Sequence, residues 1–306
     1  MLLGVDVGGT AIKIGTVTPA GELVSFETVP VRYGVRENAM FETAMEEMDR
    51  ALRKGGAEIT GIGISATGQV DPAGGRVIGA EDPSSVYIGS DFRGSAESCF
   101  HLPVSVVNDA DAALLGEIHA GAARGCGDVL MITLGTGVGG AFTVDGRLFL
   151  GHRGIAGELG HTALYQDGPR CVCGRRGCYQ NYASASALVR RAEKAAGRTF
   201  PGARNVFSAL AAGEYPMLRQ VFDDWTDDVA AGLSSFIHML NPRMILIGGG
   251  ISEQPAVIEA LREKIRRSVM PRFAEGLVIE RAELGNRAGV IGAVQFLLAN
   301  HPELRR

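Results

Sequence analysis

Three cysteines crowd into Cys171–Cys178 as C-x-C-x4-C, ten residues after His161. Three thiolates and one imidazole make a tetrahedral zinc site. With all four positions filled by protein, such a metal is structural and leaves no open place for water. Three buried free thiols are the alternative. A second candidate for chemistry is Asp109, which follows Asn108 at the end of the apolar run that Pro103-Val104 opens. In open α/β sheets ligands bind at the carboxyl ends of strands, so a carboxylate there is placed to accept a proton. It is equally placed to cap a helix from Ala110 to Gly121, and spacing alone leaves both readings open.

The third group is glycine. Val129–Val144, VLMITLGTGVGGAFTV, is an apolar run, a glycine-dense turn and a second β-rich run, and Leu2–Val17, LLGVDVGGTAIKIGTV, echoes it at constant offset. Val7-Gly8 falls on Leu134-Gly135, and Thr16-Val17 on Thr143-Val144. Two such units predict a duplicated fold whose halves face each other. Glycine permits positive φ and lets ligand oxygens reach main-chain N–H groups, so paired turns suit an anion. Gly135, Gly137 and Gly140 also spell GxGxxG, but the dinucleotide fingerprint needs a helix next. AFTVDGRLFL follows instead, with an Asp145-Gly146 turn, and reads as a hairpin. No GxxxxGK[ST] is present, which excludes a P-loop.

Alternating elements must hold these residues. Strands are predicted over 2–7, 12–18 and 22–30, with a turn at Pro19-Ala20-Gly21. Phe41, Ala44, Met45, Met48 and Leu52 recur at helical spacing within a helix over Glu37–Lys54, which Gly55-Gly56 stops. A strand over Ile59–Ala66 ends in Thr67-Gly68. A loop-rich section with Pro72, Gly74-Gly75 and Pro83 precedes a short helix over Asp91–Phe100. Residues 146–182 read as irregular. Helices are expected over Ala183–Ala196 and Tyr215–Leu240, the latter ended by Asn241-Pro242. Met244–Ile247 is a strand running into Gly248-Gly249-Gly250. Ser252 is placed to cap a helix reaching about Phe273. Leu277–Ile279 is a last strand and Ala288–Asn300 a last helix. This is an α/β fold with mixed sheets, its domain boundary expected near Asp109.

The chain has 306 residues, enough for two domains, with 46% hydrophobic and 21% charged residues and a net charge of −4. No global field favours nucleic acid or an anionic membrane, and the arginine pairs are too short for a docking stripe. No apolar run reaches membrane-spanning length and the first residues read as a strand, so the expected location is the cytoplasm. There, five cysteines favour metal over disulfides.

DVGGT at Asp6–Thr10, NDADAALLGE at Asn108–Glu117, LGTGVGG at Leu134–Gly140, AGELGH at Ala156–His161, CVCGRRGC at Cys171–Cys178 and GGGIS at Gly248–Ser252 occur in one order. Over essentially the whole chain this resembles the ROK family of repressors, open-reading-frame proteins and sugar kinases. The resemblance implies the actin-like ATPase (ribonuclease H-like) duplicated fold, with ATP and a hexose in an interdomain cleft. It implies an N-terminal domain of residues 1–108, which the C-terminal helix at about 288–306 rejoins, and a larger domain of 109–287 carrying the zinc loop. The implied reaction is ATP-dependent phosphorylation of a hexose hydroxyl, the 6-hydroxyl of glucose or a related sugar. Such a transfer needs positioning, charge neutralisation and a proton acceptor. Asp109 is then the catalytic base, and Asn108, Glu158, His161, Gln180 and Gly68 meet the sugar. Asp6, beside phosphates, belongs with Mg2+. Gly8, Gly9, Thr10 and Lys13 meet the ATP phosphates from one domain, and Gly135, Thr136 and Gly137 from the other. Gly248, Gly249 and Gly250 lie toward the adenosine, form a close strand-to-helix turn, or do both. His161, Cys171, Cys173 and Cys178 hold Zn2+, so His161 couples metal to sugar.

The chain departs from the family pattern in places. Ala11 stands where a lysine often follows the first threonine, so Lys13 is not an assured phosphate ligand. Tyr179-Gln180 replaces a Leu-Glu pair whose glutamate touches the sugar. SATGQVD follows Ile64 where a Pro-Gly is common, no sugar-recognising asparagine is evident near Asp82–Asp91, and Asp111 replaces a frequent asparagine. These leave N-acetylmannosamine, N-acetylglucosamine, allose or a β-glucoside as alternative substrates. Repressors of the family carry a DNA-binding segment before the first glycine turn, and Asp6 is almost the first residue here, so a repressor is disfavoured; a sugar-binding relic without turnover is a third reading. Relatives imply a homodimer or homotetramer, with no nucleic-acid or membrane partner.

Overall fold

The computed structural model describes residues 1–34, 37–55, 58–80 and 84–305, and these form two compact units. One comprises Met1–Gly125, Leu148–Ala156 and Glu283–Arg306; the other comprises Cys126–Arg147 and Gly157–Ala282. Gly56, Asp82 and Pro83, which figured in the sequence reading, lie outside the described residues.

In the first unit, β1 (Leu2–Val7) and β2 (Ala11–Val17) pair antiparallel across the Gly8-Gly9-Thr10 turn. The order is completed by β3 (Glu27–Pro30), β4 (Ile62–Ala66) and β7 (Val104–Asn108), giving β3-β2-β1-β4-β7. The β1–β4 and β4–β7 pairs are parallel. The helix α1 (Ala39–Gly55) and the helix α2 (Phe92–Phe100, capped by Asp91) cover Val5, Ile14, Ile64 and Val106. The third strand is shorter than its apolar pattern predicts, because only a single bridge, Val17 to Leu23, precedes Glu27. The loop-rich section holds a small hairpin, β5 (Gln69–Asp71) with β6 (Arg76–Gly79), which its proline and glycines concealed.

The helix α3 (Asp109–Ala120) starts where β7 ends, and Asn108 caps it by accepting from Ala110 N and Asp111 N. It belongs to the first unit, so the boundary expected at Asp109 falls inside that unit. The physical reason is Glu117, fully buried, whose carboxylate accepts from Leu284 N at 2.8 Å and Ala122 N at 2.9 Å. That ties α3 to the returning C-terminal segment.

In the second unit, β8 (Val129–Leu134) and β9 (Val138–Val144) repeat β1 and β2 at the offset visible in the sequence. With β10 (Arg147–Leu148), β11 (Met244–Gly248) and β12 (Val278–Arg281) they form β10-β9-β8-β11-β12, with β11 parallel to β8 and β12. A hairpin, not a helix, follows the GxGxxG segment. Packed against this sheet are α4 (Gln180–Ala183), α5 (Ala185–Ala196), α6 (Ala203–Ala212) and α7 (Leu218–Leu240), with Trp225 and Tyr179 at the centre. The helix expected from Ser252 to Phe273 is divided. Ser252 Oγ donates back to Gly249 O inside a short 3₁₀ turn, and α8 (Pro255–Ser268) begins later, with proline in its first turn. Pro271 cannot donate to a continuing helix and opens the separate α9 (Pro271–Ala274).

The chain then returns to the first unit as α10 (Ala288–Asn300). Glycines let it press on the sheet: a Cβ at Gly63 would lie 2.3 Å from Ala293 O, and one at Gly4 2.5 Å from Val290 O. Among the described residues no helix is long and apolar enough to cross a membrane.

Candidate active site

Strand register assembles the first cluster. Asp6 on β1 faces Lys13 on β2 and Ser65 on β4. Its carboxylate accepts from Lys13 Nζ at 2.6 Å and from Ser65 Oγ at 2.7 Å. The first turn of α10 closes on the same group, since a Cβ at Gly289 would lie 2.7 Å from Asp6 Cγ. A helix N-terminus favours a carboxylate there. Lys13 thus serves first as a counter-ion to Asp6. Beyond Asp6, Gly9 and Thr10 are exposed at the turn, while Gly8 N donates to Ala11 O at 3.2 Å. The Tyr33 hydroxyl fixes the turn by donating to Gly9 O at 2.6 Å.

Asp109 stands at the end of β7, with β4 between it and β1, so roughly 10 Å of sheet separates the two strands. Its carboxyl is half-buried at the surface but closely ringed by protein. Loss of solvent and then the negative charge of Asp6 raise its pKa from 3.8 to about 6, against bonds from Ala110 N–H and the Thr67 hydroxyl and the charge of Lys13. A base with that pKa is mostly ionised at neutral pH yet still takes a proton readily. Hence kcat/KM is expected to fall about tenfold per pH unit below about 6 as the carboxylate protonates. A pH–rate profile with no acidic limb near that value would exclude Asp109 as the titrating base.

Asn108 is engaged within the chain at both ends: Oδ1 caps α3 and Nδ2 donates to Gly68 O at 2.8 Å. Gly68 has φ +89, and a Cβ there would meet Gly79 O at 2.7 Å, so only glycine fits.

In the second unit, the Gly135-Thr136-Gly137 turn closes β8 on β9, with Gly135 O accepting from Ala185 N at 3.0 Å and Thr136 exposed. Gly249, at φ +84, sits against Leu134, where a Cβ would come within 2.4 Å of the carbonyl oxygen. The close-turn reading of Gly248-Gly249-Gly250 therefore holds, and Gly249 and Gly250 are exposed beside it.

His161, Cys171, Cys173 and Cys178 place their donor atoms within 4.8 Å of one another. Cys173 Sγ and Cys178 Sγ are 3.6 Å apart, and Cys171 Sγ is 3.7 Å from His161 Nδ1. Thiolates about 2.3 Å from a tetrahedral centre stand about 3.8 Å apart, so this donor set fits zinc. Glycines shape the loop: a Cβ at Gly177 would overlap Tyr165 O at 1.7 Å. The other imidazole nitrogen, Nε2, lies 4.0 Å from the Glu158 carboxylate, which is exposed. His161 thus joins the thiol cluster to an exposed hydrogen-bonding group.

Gln180 does not present its amide outward. It is 6% exposed, its Nε2 donates to Cys171 Sγ at 3.3 Å and its Oε1 accepts from Val138 N at 3.4 Å. The expected contact with sugar is replaced by one with sulfur, because α4 starts at this residue and turns it into the loop. Ser65, Thr67 and Gly289 carried no site role in the sequence reading. Ser65, and the pairing of Lys13 with Asp6, follow from carrying the hairpin and parallel registers across from Asp6. Gly289 had no local signal.

Known proteins match nearly the whole chain. The ROK family model matches residues 2–300. A glucokinase of Halalkalibacterium halodurans is 34% identical over 95% of this chain and 92% of its own. A ROK hexokinase from Thermus thermophilus superposes with a TM-score of 0.84 at 32% identity, covering 99% of each chain. A ROK family glucokinase from Streptomyces griseus, solved with glucose and AMPPNP, gives 0.79 at 30% identity over 96% of this chain and 98% of that one. Strand order in both sheets, two glycine turns, the Asn108-Asp109 corner and the loop of one histidine and three cysteines agree with the match over residues 2–300: the chain belongs to the ROK family.

Proposed function

We propose that this chain is an ATP-dependent hexose kinase that transfers the γ-phosphoryl group to a sugar hydroxyl, the 6-hydroxyl of glucose or a closely related hexose. The observation that carries the reading is Asp109: a carboxylate at a strand end, its pKa raised to about 6, in the same sheet as the Asp6 turn. The Asp109 carboxylate accepts the hydroxyl proton as the sugar oxygen bonds to the γ-phosphorus. The bond from that phosphorus to the bridging oxygen breaks, and ADP leaves with the electron pair. The Gly9-Thr10 turn offers N–H and hydroxyl donors suited to phosphate oxygens, and the Gly135-Thr136-Gly137 turn offers the same kind of donors. Asp6, whose carboxylate already takes a cationic partner in Lys13, is the residue that would hold the Mg2+ accompanying ATP, directly or through water, and that ion would neutralise phosphate charge. Glu158 and His161 offer an acceptor and a ring nitrogen to sugar hydroxyls. His161, Cys171, Cys173 and Cys178 would hold a structural Zn2+ that fixes the loop.

Gln180 bears on the metal loop. A glutamate at its place would set a second negative charge against the Cys171 thiolate, whereas an amide donates to it. The replacement is therefore read as support for the metal loop and not as a change of sugar. The reading includes a cytoplasmic enzyme that assembles as a dimer or tetramer.

The test is ADP release coupled to a panel of glucose, mannose, allose, N-acetylmannosamine, N-acetylglucosamine and a β-glucoside. Stoichiometric ADP and sugar phosphate with glucose is expected. Turnover confined to an N-acetyl sugar or a β-glucoside would move the substrate, and no sugar-dependent ADP release with any of them would reject the kinase reading.

A further inference from the structure

The turn between β1 and β2 engages its carbonyls within the chain. Val7 O accepts from Thr67 N at 3.2 Å, Thr10 O from Val31 N at 3.0 Å and Ala11 O from Gly8 N at 3.2 Å. Gly9 O accepts from the Tyr33 hydroxyl at 2.6 Å. The amides at the tip are treated differently. Gly9 and Thr10 are exposed, and among the described residues no hydrogen bond takes either N–H. A Cβ at Gly9 would meet nothing within 4 Å, so that face of the turn is open. A Cβ at Gly8 would lie 4.0 Å from Lys13 Nζ, which sets positive charge beside the turn.

Three of these four carbonyl bonds come from backbone amides. The fourth comes from a side chain with no packing role to explain it: Tyr33 is 61% exposed and lies outside the core that α1 and the sheet enclose. The segment that carries it is nonetheless anchored. Val31 is buried, Arg32 N donates to Thr43 Oγ1 at 3.4 Å, and the Arg32 guanidinium pairs with Glu46 at 3.2 Å and Glu47 at 3.1 Å on α1. The phenol is thus presented to the turn from a fixed support.

Peptide geometry gives the consequence. A trans peptide is planar, so the C=O of Gly9 and the N–H of Thr10 point opposite ways. Glycine leaves that plane freer to rotate than another residue would. The Tyr33 bond draws the Gly9 carbonyl toward the support and so directs the Thr10 N–H away from it. An untethered turn could present the carbonyl instead, and a carbonyl oxygen repels phosphate.

We propose that Tyr33 is a positioning residue for the nucleotide: by holding Gly9 O, its hydroxyl keeps the Thr10 N–H directed at a terminal phosphate oxygen of ATP. Tyr33 acts through the turn and touches neither ATP nor sugar. The inference rests on the kinase reading above.

Tyr33→Phe removes the hydroxyl and keeps the ring; Tyr33→Ala removes both. Three readouts decide for each: KM for ATP, KM for the best hexose of the panel, and the rise in melting temperature induced by Mg2+ with a non-hydrolysable ATP analogue. Both variants are expected to melt within about 2 °C of wild type without ligand, because the side chain is at the surface. In both, KM for ATP should rise about three- to tenfold, the size of one hydrogen bond, with KM for the hexose within about twofold. The analogue-induced melting shift should shrink in parallel. Unchanged ATP KM and melting shift in Tyr33→Phe would overturn the proposal; a loss seen only in Tyr33→Ala would mean that the ring itself meets the nucleotide. A lower melting temperature without ligand, with both KM values altered, marks a bond that only supports the fold and would overturn it too. If wild type shows neither sugar-dependent ADP release nor stabilisation by the analogue, the kinase reading fails, and this inference with it.

Discussion

Asp109→Asn is expected to fold and to lose turnover by a factor of about 10² to 10⁴, the contribution of a positioned base. The substitution keeps shape: the Asn108 cap is untouched, and an amide oxygen can still accept from Ala110 N, as the carboxylate does at 2.9 Å. What disappears is the capacity to take a proton. KM for sugar and ATP should change little, because the loss falls on the chemical step. The effect on stability has a defined sign. The folded state raises the Asp109 pKa from 3.8 to about 6, so it binds this proton more tightly than the unfolded chain. That contribution is fully present below about 3.8 and is lost as pH rises through about 6. At pH 7.5 the variant should therefore melt no lower than wild type, while wild type gains on it as pH falls through that window. A variant with near-wild-type kcat would remove Asp109 from the chemistry.

The second large effect concerns the thiol cluster. Cys178→Ser, or exhaustive chelation, is expected to lower the melting temperature by about 10 °C or more, since structural zinc contributes several kcal/mol to the fold it closes. Cys178 is buried and its segment begins α4, with Tyr179 and Gln180 entering the core and the loop. Loss of the metal should also free the His161 ring and weaken sugar binding, because Nδ1 faces the thiols while Nε2 lies toward Glu158. Elemental analysis of the purified chain should find one zinc per chain. Verified metal-free protein with unchanged melting and unchanged sugar affinity would refute both the structural role and the coupling.

The two strand–turn–strand units were legible because their signal is local. Apolar alternation and a glycine turn need no distant partner, and β8–β9 repeat β1–β2 residue for residue in length. The corner at Asn108-Asp109 was legible for the same reason. Less visible was which of the two residues caps α3; both accept from Ala110 N, and the sequence offered only Asp109 for that role. The helix α6 went unread although Val206, Phe207 and Leu210 sit at helical spacing, because flanking glycines and alanines diluted the pattern. Gln180 was illegible in principle. Whether an amide meets sulfur or solvent depends on tertiary packing that no window of sequence contains. The boundary near Asp109 went astray likewise, since the tie from Glu117 to Leu284 spans most of the chain.

The most direct measurement is a crystal structure of wild-type protein with glucose and a non-hydrolysable ATP analogue. The account predicts the sugar 6-oxygen within about 2.6–3.2 Å of an Asp109 carboxylate oxygen, and the terminal phosphate at the Gly9-Thr10 and Gly135–Gly137 turns. A sugar bound with Asp109 turned away from every hydroxyl, or a nucleotide held apart from both turns, would contradict it.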